Sequence, residues 1–381
     1  MLKCRYRIKM SYQFRSYYQC GENKFHNIFQ AFREQKNTKH FPKFVLDEDL
    51  VSALANAKKP KSINAEYLRG LMVSRLKHLR KKYNKLKIGY SGGTDSYTIL
   101  RLCVDNDIYI DETITQMISI SKDVRTNLEY YAGLQLAKKY EGTLVGKCTE
   151  LHPIDKDLEF VNDPDWFHDE SIVTGPNIPF RVYSTPNIIE RAVGSDNDTI
   201  MLMGYEKPRF LVEDGKLYWT VIDSSVGEMM GQDNTVPFFL DKDNPELVVA
   251  LAYAALEKID VGQALSNNQL IGFHSLGHKK QIELLDSCGF YKTPHHFINV
   301  GLLGKTLFNF NRKSQRFFKE LQNHSKQEYI DKMHHTHKRI LDLYSDLPYA
   351  LESHDNLVKS VLRYSQKLEI LPNGFGEVTN T

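Results

Sequence analysis

The chain has 381 residues, of which 41% are hydrophobic and 25% are charged, and its formal net charge is +3. A chain of this length and composition can bury a sizeable core, and we expect two or three structural units. No apolar run reaches about 18 residues, the length of a membrane span, and the basic first residues lack the apolar core of a secretory signal. We therefore expect a cytoplasmic protein with no membrane partner.

The first predicted unit, residues 1–84, is a basic N-terminal region with strands and two helices. Residues 1–90 contain 21 Lys and Arg against 6 Asp and Glu, a net charge of +15, whereas the remainder carries −12. Aromatic and basic residues interleave over residues 3–20, which favours strands and would also suit stacking on nucleotides. The positive charge would then contact phosphates, including those of an RNA partner. A solvated basic face, or one docked on the acidic remainder, is the alternative interpretation.

Two amphipathic helices are predicted in this region, with a polar linker between them. Residues 23–35 repeat large apolar side chains at helical spacing, a stripe typical of a core. The linker contains Pro42 and Pro60. Residues 64–83 form the second helix, whose last turn is basic and complements the helix dipole.

The second predicted unit, residues 85–240, begins with a buried strand, a tight turn and a helix start. The turn reads Ser-Gly-Gly-Thr-Asp-Ser over residues 91–96. Two adjacent glycines permit positive φ or a close backbone approach, and the Asp and the second Ser suit a first helical turn. The free N–H groups of that turn, together with the helix dipole, favour an anion. Neither the longer Gly-x4-Gly-Lys-Ser/Thr loop nor Gly-x-Gly-x-x-Gly is present in this turn.

Strands and helices alternate after the turn. This order predicts a parallel, twisted sheet flanked by helices and joined by right-handed crossovers, which is an α/β fold. Ligands in such sheets bind beyond the C-terminal strand ends, which places Ser119 and Ile120 beside the turn. The predicted strands lie at 113–120, 143–146 and 199–203, and the predicted helices at 97–104, 125–140 and 186–194.

Two further stretches of this unit carry polar or charged residues. Residues 155–185 are rich in Asp, Pro and Asn, and such a stretch is either a functional lid or a surface loop anchored by its tryptophan. Residues 204–209 follow the fourth strand on the same edge of the sheet as the turn. There Lys207 or Arg209 would neutralise the charge of a phosphate-bearing ligand, and Glu206 would hold Mg²⁺ or orient a nucleophile. A charged turn before a hairpin is the alternative.

The third predicted unit, residues 241–381, is mainly helical. It follows a β-hairpin on an Asp-Gly turn at residues 210–219. Apolar residues at helical spacing predict four helices, at 245–258, 278–288, 326–344 and 356–368.

Metal-binding patterns are weak in this sequence. The five cysteines include no Cys-x-x-Cys pair, and an odd count predicts reduced thiols without a structural zinc or iron–sulfur site. His295-His296 and His334-His335-x-His337 would supply ligands, but no Cys or carboxylate completes either group at standard spacing. Solvated helix faces are the simpler interpretation of these histidines.

The turn at residues 91–96 resembles the PP-loop of the N-type ATP pyrophosphatases, whose motif is Ser-Gly-Gly-x-Asp-Ser after a strand. The match is complete, and the resemblance covers residues 85–210, of which only the loop is specific. It implies an adenine nucleotide alpha hydrolase-like fold with ATP and Mg²⁺ as ligands. In this family the loop grips the pyrophosphate end of ATP while a substrate oxygen attacks the α-phosphate, and a nucleophile then displaces AMP.

The resemblance also implies roles for individual residues. Asp95 and Glu206 would hold Mg²⁺, which offsets the phosphate charge. Asp95, Lys207 and Arg209 would be catalytic, and the strand end at Ser119 and Ile120 would hold adenine through backbone groups. The residues expected to bind ATP are Ser91, Gly92, Gly93, Thr94, Asp95, Ser96, Ser119 and Ile120.

Among the relatives, the chain looks most like the synthetase domain of asparagine synthetase. Such an enzyme is an ATP-dependent ligase that adenylates a carboxylate or amide oxygen, although the acceptor does not follow from the loop. Leu2 stands after Met1 where a built-in glutaminase would have its nucleophilic cysteine. We therefore expect nitrogen as free ammonia or from a separate partner.

Two other functions stay open. A tRNA or nucleobase modification enzyme would use the same loop and bind RNA through the basic region, although the iron–sulfur and zinc-bearing members have Cys-x-x-Cys pairs. A nucleotide-binding protein, or a relative of the sulfonucleotide reductases, would keep the loop without cleaving ATP. Those reductases usually have a C-terminal cysteine, which this sequence lacks.

Overall fold

The computed structural model describes most of the N-terminal two thirds of the chain and parts of the remainder. The described residues are 15–116, 128–152, 162–163, 165–168, 192–194, 198–204, 207–221, 234–259, 270–272, 278–292, 331–332, 335, 338–339, 342–343, 352–354, 357–359 and 365–379.

The described helices and strands are numbered here in chain order. They are β1 (Tyr17–Cys20), β2 (Asn23–Phe25), α1 (Ile28–Thr38), β3 (Lys43–Val45), α2 (Glu48–Asn56), α3 (Ala65–Lys82), β4 (Lys85–Gly89), α4 (Thr94–Asp105), β5 (Ile110–Gln116), α5 (Leu128–Lys138), β6 (Val145–Leu151), β7 (Thr199–Met203), β8 (Arg209–Glu213), β9 (Lys216–Thr220), β10 (Thr235–Pro237), α6 (Pro245–Leu256), β11 (Leu270–Gly272), α7 (His278–Ser287), β12 (Glu352–His354), β13 (Leu357–Lys359), β14 (Lys367–Leu371) and β15 (Gly374–Thr379).

The N-terminal region forms a small antiparallel sheet in the order β2-β1-β3, with α1 and α2 beside it. The prediction of one helix over residues 23–35 was wrong at its start. Residues 23–25 pair with β1, and Asn27 caps α1 by accepting a hydrogen bond from the Phe29 N–H group. The predicted polar linker was also wrong in part, because it contains β3 and α2. Asp47 caps α2 in the same way, through the Asp49 N–H group.

Helix α3 leads into the central strand of the protein. Asn64 caps its start by accepting from the Tyr67 N–H group, and three basic residues occupy its last turn. Leu68, Met72 and Leu76 form its buried stripe, each with 0% of its surface exposed. The chain then becomes extended at Tyr83 and enters β4. This helix agrees with the prediction for residues 64–83.

The predicted parallel sheet is confirmed. Its order is β6-β5-β4-β7-β10, and every neighbouring pair is parallel. From β4 the chain moves outward to β5 and β6, then returns past β4 to β7 and β10. The direction of travel therefore reverses between β4 and β7, and ligands of open α/β sheets bind beside such a switch point.

The two faces of β4 differ. Leu86 and Ile88 are fully buried in a core cluster that also takes members from α1, α3, α4 and α6. On the other face, Lys87 lies 3.0 Å from a carboxylate oxygen of Glu112 and donates a hydrogen bond to the Ala192 carbonyl. At β4, one face of the sheet is therefore apolar and packs in the core, whereas the opposite face carries the Lys87–Glu112 ion pair.

A second, antiparallel sheet has the order β11-β8-β9-β14-β15. The predicted hairpin on Asp214-Gly215 is confirmed as β8 and β9. The predicted helix over residues 356–368 was wrong, because β13 pairs with β12 and β14 pairs with β9. In β14 the long-range strand pairing outweighs the local helical spacing.

The described residues of the C-terminal third include both helices and strands, so the prediction of a mainly helical region is not confirmed. Helices α6 and α7 agree with the predictions for 245–258 and 278–288, and the described residues between 331 and 343 are helical. Within the described ranges, no helix is long and apolar enough to cross a membrane. The four described cysteines, Cys20, Cys103, Cys148 and Cys288, are not in disulfides.

Candidate functional site

The turn between β4 and α4 lies at the C-terminal edge of the parallel sheet, beside the switch point. The Tyr90 N–H group still donates to the Ile114 carbonyl at 2.8 Å, which extends the ladder one residue past β4. Gly92 then has φ +72°, a conformation that residues with a Cβ rarely adopt. Gly93 returns to extended backbone and is the residue before the first turn of α4.

Two serines connect the ends of this turn. The Ser91 N–H group donates to Ser96 Oγ, and Ser96 Oγ donates to the Gly93 carbonyl, both at 3.3 Å. The Gly93 N–H group donates to Ser91 Oγ, also at 3.3 Å. These hydrogen bonds are longer than the usual N–H···O distance of about 2.9–3.0 Å. The serines therefore connect the two ends of the turn through long hydrogen bonds.

The start of α4 offers N–H groups to a ligand. The first N–H groups of a helix have no partner within the helix, and Gly93 has no side chain with which to cap them. The dipole of the 12-residue helix adds partial positive charge at this end. This arrangement favours an anion in front of residues 94–96.

Asp95 and Lys207 form an ion pair at the same edge. Lys207 Nζ lies 2.6 Å from Asp95 Oδ2, and the two side chains are 14% and 25% exposed. The second carboxylate oxygen, Asp95 Oδ1, is buried and has no hydrogen-bond partner in the part of the chain that the structure describes. The ammonium group of Lys207 also lies 5.8 Å from the ring centroid of the buried Phe290. The structure thus brings together two of the three residues predicted to be catalytic.

The remaining predicted site residues have different positions. Thr94 is the first residue of α4. Arg209 begins β8, where it pairs with Thr220 of β9 and Gly272 of β11. Glu206, Ser119 and Ile120 lie outside the described residues.

Two glycines beyond the loop bring neighbouring backbone against it. A Cβ on Gly204, just after β7, would lie 2.9 Å from Asp95 Cβ and 3.0 Å from the Ser96 nitrogen. A Cβ on Gly133, within α5, would lie 2.7 Å from Gly92 Cα. Sequence reasoning noted Gly204 but missed Gly133. The available signal was an isolated glycine inside a helical pattern, which usually has a packing reason.

The segment after α7 also reaches this part of the molecule, which the sequence did not predict. The Tyr291 N–H group donates to Thr98 Oγ1 of α4 at 3.0 Å, and the Tyr291 hydroxyl donates to Asp105. The guanidinium group of Arg69 stacks over the Tyr291 ring at 4.8 Å. These contacts join the residue after Phe290 to α3 and α4, so the described segment after α7 packs near the loop edge.

Two titratable groups near the loop, Tyr90 and Cys288, have raised pKa values. Burial raises the pKa of the Tyr90 hydroxyl, which stays protonated. Burial also raises the pKa of the Cys288 thiol to about 12. Among the described residues, no group of three or more His, Cys, Asp or Glu side chains is arranged to hold a metal ion. His335 is exposed, whereas His295, His296, His334 and His337 lie outside the described residues.

Part of the predicted basic region is docked on acidic side chains. Arg75 pairs with Asp241 and Arg80 with Asp111, while Lys82 Nζ lies 3.5 Å from Asp243. For these three cations the docked interpretation is correct. Binding of RNA by the other basic residues stays a prediction.

The predicted lid is described only around its 3₁₀ helix, Trp166–His168. Phe167 is fully buried and its ring lies 5.5 Å from that of Phe29 in α1. Asn27 donates to the Phe167 carbonyl at 2.8 Å. This point of the stretch is therefore anchored on α1, and the predicted lid otherwise stays untested.

Comparison with known proteins does not identify a family for this chain. No protein-family model and no curated protein matches the chain. The interpretation of the site therefore depends on the loop residues and on their geometry.

Proposed function

We propose that the chain is an ATP pyrophosphatase of the PP-loop kind that binds ATP with Mg²⁺ at residues 91–96. The observation that carries the proposal is the start of α4, where no side chain of the N-cap residue caps the first N–H groups and the Asp95–Lys207 pair lies at the same place. The positive φ of Gly92 supports it, because an anion-binding turn needs such backbone. The adenine nucleotide alpha hydrolase-like fold is part of this proposal, and the order of the parallel strands is compatible with it.

In this proposal the loop and Lys207 hold the pyrophosphate end of ATP. The N–H groups at the start of α4 donate to phosphate oxygens, and the helix dipole stabilises their charge. Lys207 is within reach because its ammonium group already lies at the loop edge, on Asp95. When Lys207 moves from carboxylate to phosphate, Asp95 needs a new positive partner, and Mg²⁺ would supply that charge.

Asp95 fits the role of a magnesium ligand. Its Oδ1 atom is buried without a partner among the described residues, and carboxylate oxygens are ligands that Mg²⁺ prefers. Glu206 stays the predicted second ligand. Bound Mg²⁺ would offset the negative charge of the phosphates.

The proposed reaction has two steps. A carboxylate or amide oxygen of the acceptor attacks the α-phosphorus, and the bond from that phosphorus to the bridging oxygen breaks. Pyrophosphate leaves with the bonding electrons, and Lys207 and the loop N–H groups stabilise its charge. A nucleophile, such as ammonia in an asparagine synthetase-like enzyme, then attacks the activated carbon and releases AMP.

The test is product analysis with α-labelled ATP, Mg²⁺ and pooled acceptors, namely carboxylic acids and amides with ammonia, tRNA, and nucleobases. AMP and pyrophosphate formed only with the first pool would support the ligase. The same products with tRNA or nucleobases would support the modification enzyme instead. ADP as product, or ATP binding without turnover in any pool, would exclude α-phosphate chemistry with these acceptors.

The variant Asp95→Asn tests whether Asp95 contributes to the reaction while the chain stays folded. It keeps the side-chain shape but removes the charge, and AMP formation should fall about 100- to 1,000-fold. Asp107→Asn is the matched control, because Asp107 is exposed beyond the far end of α4 and its positive φ suits Asn. Equal turnover in the two variants would exclude a role for Asp95.

A further inference from the structure

Gly133 of helix α5 contacts the loop although the loop motif does not include it. A Cβ at this position would lie 2.7 Å from Gly92 Cα and 3.1 Å from the Gly92 nitrogen. It would also lie 3.3 Å from the Ser91 carbonyl oxygen. These are backbone atoms, so no side-chain rotation relieves the overlap. Any other residue at 133 therefore requires a shift of the loop or of α5.

Helix α5 and the turn after it have further contacts besides the one at Gly133. Leu134 is 1% exposed and Ala137 is fully buried. Lys138 at the helix end pairs with Glu150 of β6 at 3.0 Å, and Arg101 of α4 donates to the hydroxyl group of Tyr140 at 2.8 Å. A retreat of α5 would open the packing at Leu134 and Ala137. The loop is therefore the part that would move.

The hydrogen bonds within the loop are long. The three hydrogen bonds between its two serines and Gly93 are all 3.3 Å long. Its positive φ at Gly92 is a conformation that glycine can leave without a steric barrier. Contact with neighbouring backbone at Gly133 and Gly204 therefore contributes to holding the turn.

We infer that Gly133 is a positioning residue of the nucleotide site. Its missing side chain lets α5 lie against the loop and hold Gly92 in the conformation that aims the N–H groups at the ligand. This inference rests on the proposed function, because the ligand in question is the pyrophosphate end of ATP. A methyl group at 133 should shift the loop and weaken that contact while the chain stays folded.

Gly70 of helix α3 provides a matched control, because a Cβ there meets nothing within 4 Å. Gly133→Ala and Gly70→Ala both replace a helical glycine by a better helix former. In calorimetric titrations, Gly133→Ala should bind Mg–ATP and inorganic pyrophosphate about tenfold more weakly, since small misplacements are sufficient for such losses. Gly70→Ala should bind both like the wild type, and adenosine should bind all three proteins equally.

The outcomes separate the inference from the proposed function. Wild-type affinity of Gly133→Ala for both phosphate ligands would overturn the inference alone. An equal loss for adenosine would also overturn it, because a general structural role would then explain the effect. A wild-type chain that binds neither ATP nor pyrophosphate would overturn the proposed function and the inference together.

A second measurement uses the wild-type chain and does not depend on how the variant folds. In protein labelled with [¹⁵N]glycine, pyrophosphate should move the amide signals of Gly92, Gly93 and Gly133 and leave that of Gly70 unchanged. A Gly133 signal that stays still while those of Gly92 and Gly93 move would contradict the inference.

Discussion

The loop edge and the junction between α3 and α6 each hold an oppositely charged pair, but in different surroundings. At the loop edge the side chains of Lys207 and Asp95 are 14% and 25% exposed. At the junction Arg75 of α3 pairs with Asp241, which precedes α6, and these side chains are only 1% and 0% exposed. The first pair can exchange partners with solvent or a ligand, and the second cannot.

This difference indicates which charges belong to folding and which are available for function. Two buried charges stabilise each other only while both are present, because either one alone lacks solvation. A pair in contact with water has little net effect on stability. We therefore expect the fully buried pair to matter more for folding than the loop pair, which keeps contact with solvent.

The largest expected effect is a loss of stability when Arg75 is removed from the buried pair and Asp241 is left behind. Arg75→Met should lower the free energy of unfolding by about 3–5 kcal/mol, because Asp241 would remain buried without its partner. Urea unfolding followed by circular dichroism measures this change. Lys138→Met breaks the exposed pair with Glu150 and should change stability by less than about 1 kcal/mol. If both variants lost similar amounts of unfolding free energy, burial would not distinguish the two kinds of ion pair.

The next effect concerns the loop pair. Lys207→Met should weaken pyrophosphate binding about tenfold, which corresponds to about 1.4 kcal/mol, because a cation at the loop edge is lost. Stability should fall by less than in Arg75→Met, since the side chains of Lys207 and Asp95 keep 14% and 25% of their surface exposed. Lys216→Met is the control, because Lys216 pairs with Glu369 on the antiparallel sheet. If Lys207→Met bound pyrophosphate as tightly as the wild type, Lys207 would not be a binding residue of the site.

A smaller loss of stability is expected when alanine replaces a glycine that has positive φ. Two such glycines distinguish backbone strain from a loss of ligand binding. Gly92 and Gly142 have φ of +72° and +77°, so Ala at either position should destabilise the fold by about 1 kcal/mol. Only Gly92→Ala should also weaken ATP binding, because Gly142 lies in the turn before β6. Thermal unfolding and ATP titration of both variants make the test. Equal ATP affinity of the two would argue against the loop as the binding site.

The effect that is smallest at neutral pH concerns His168, a half-buried side chain that stays uncharged there. Burial, with a further contribution from the positive charge of Arg33, lowers the pKa of His168 to about 4 from an ordinary 6.5. Between these values the unfolded chain binds more protons than the folded one. His168 should therefore leave stability unaffected above about pH 6.5, and stability should fall as the pH decreases toward about 4.

Two variants test this pH dependence, one at His168 and a control at another histidine. Urea midpoints from pH 4 to 8 should fall less steeply on acidification for His168→Gln than for the wild type. His335→Gln, which changes an exposed histidine, should follow the wild type. Parallel curves for all three proteins would show that His168 does not contribute.

The loop and the parallel sheet could be predicted because their signals are local. The strand, the two glycines and the helix start lie within residues 86–100, and β7 was predicted at its observed bounds. A shared edge for Asp95 and Lys207 followed from the rule that parallel strands end on one side of a sheet. Their direct contact did not, because 112 residues separate them.

The antiparallel sheet and the glycine contact were harder to predict. Residues 356–368 have apolar side chains at helical spacing, but β14 gains a partner in β9, and such distant pairing overrides local propensity. The turn over Pro372 and Asn373, followed by Gly374, was a hairpin signal that the helical interpretation overlooked. Gly133 had a local signal as well, but its contact with Gly92 depends on how two helices lie on the sheet.

The antiparallel sheet has a consequence for synthesis of the chain. Lys216 at the start of β9 and Glu369 in β14 are 153 residues apart, and they pair only after both have left the ribosome. At 5–20 residues per second, the free edge of β9 waits about 8–30 seconds for its neighbour. During that time it presents unpaired backbone N–H and C=O groups to other nascent chains, which is the condition that favours aggregation. The β8–β9 hairpin is therefore the segment of the described fold that we expect to need protection by a chaperone while translation continues.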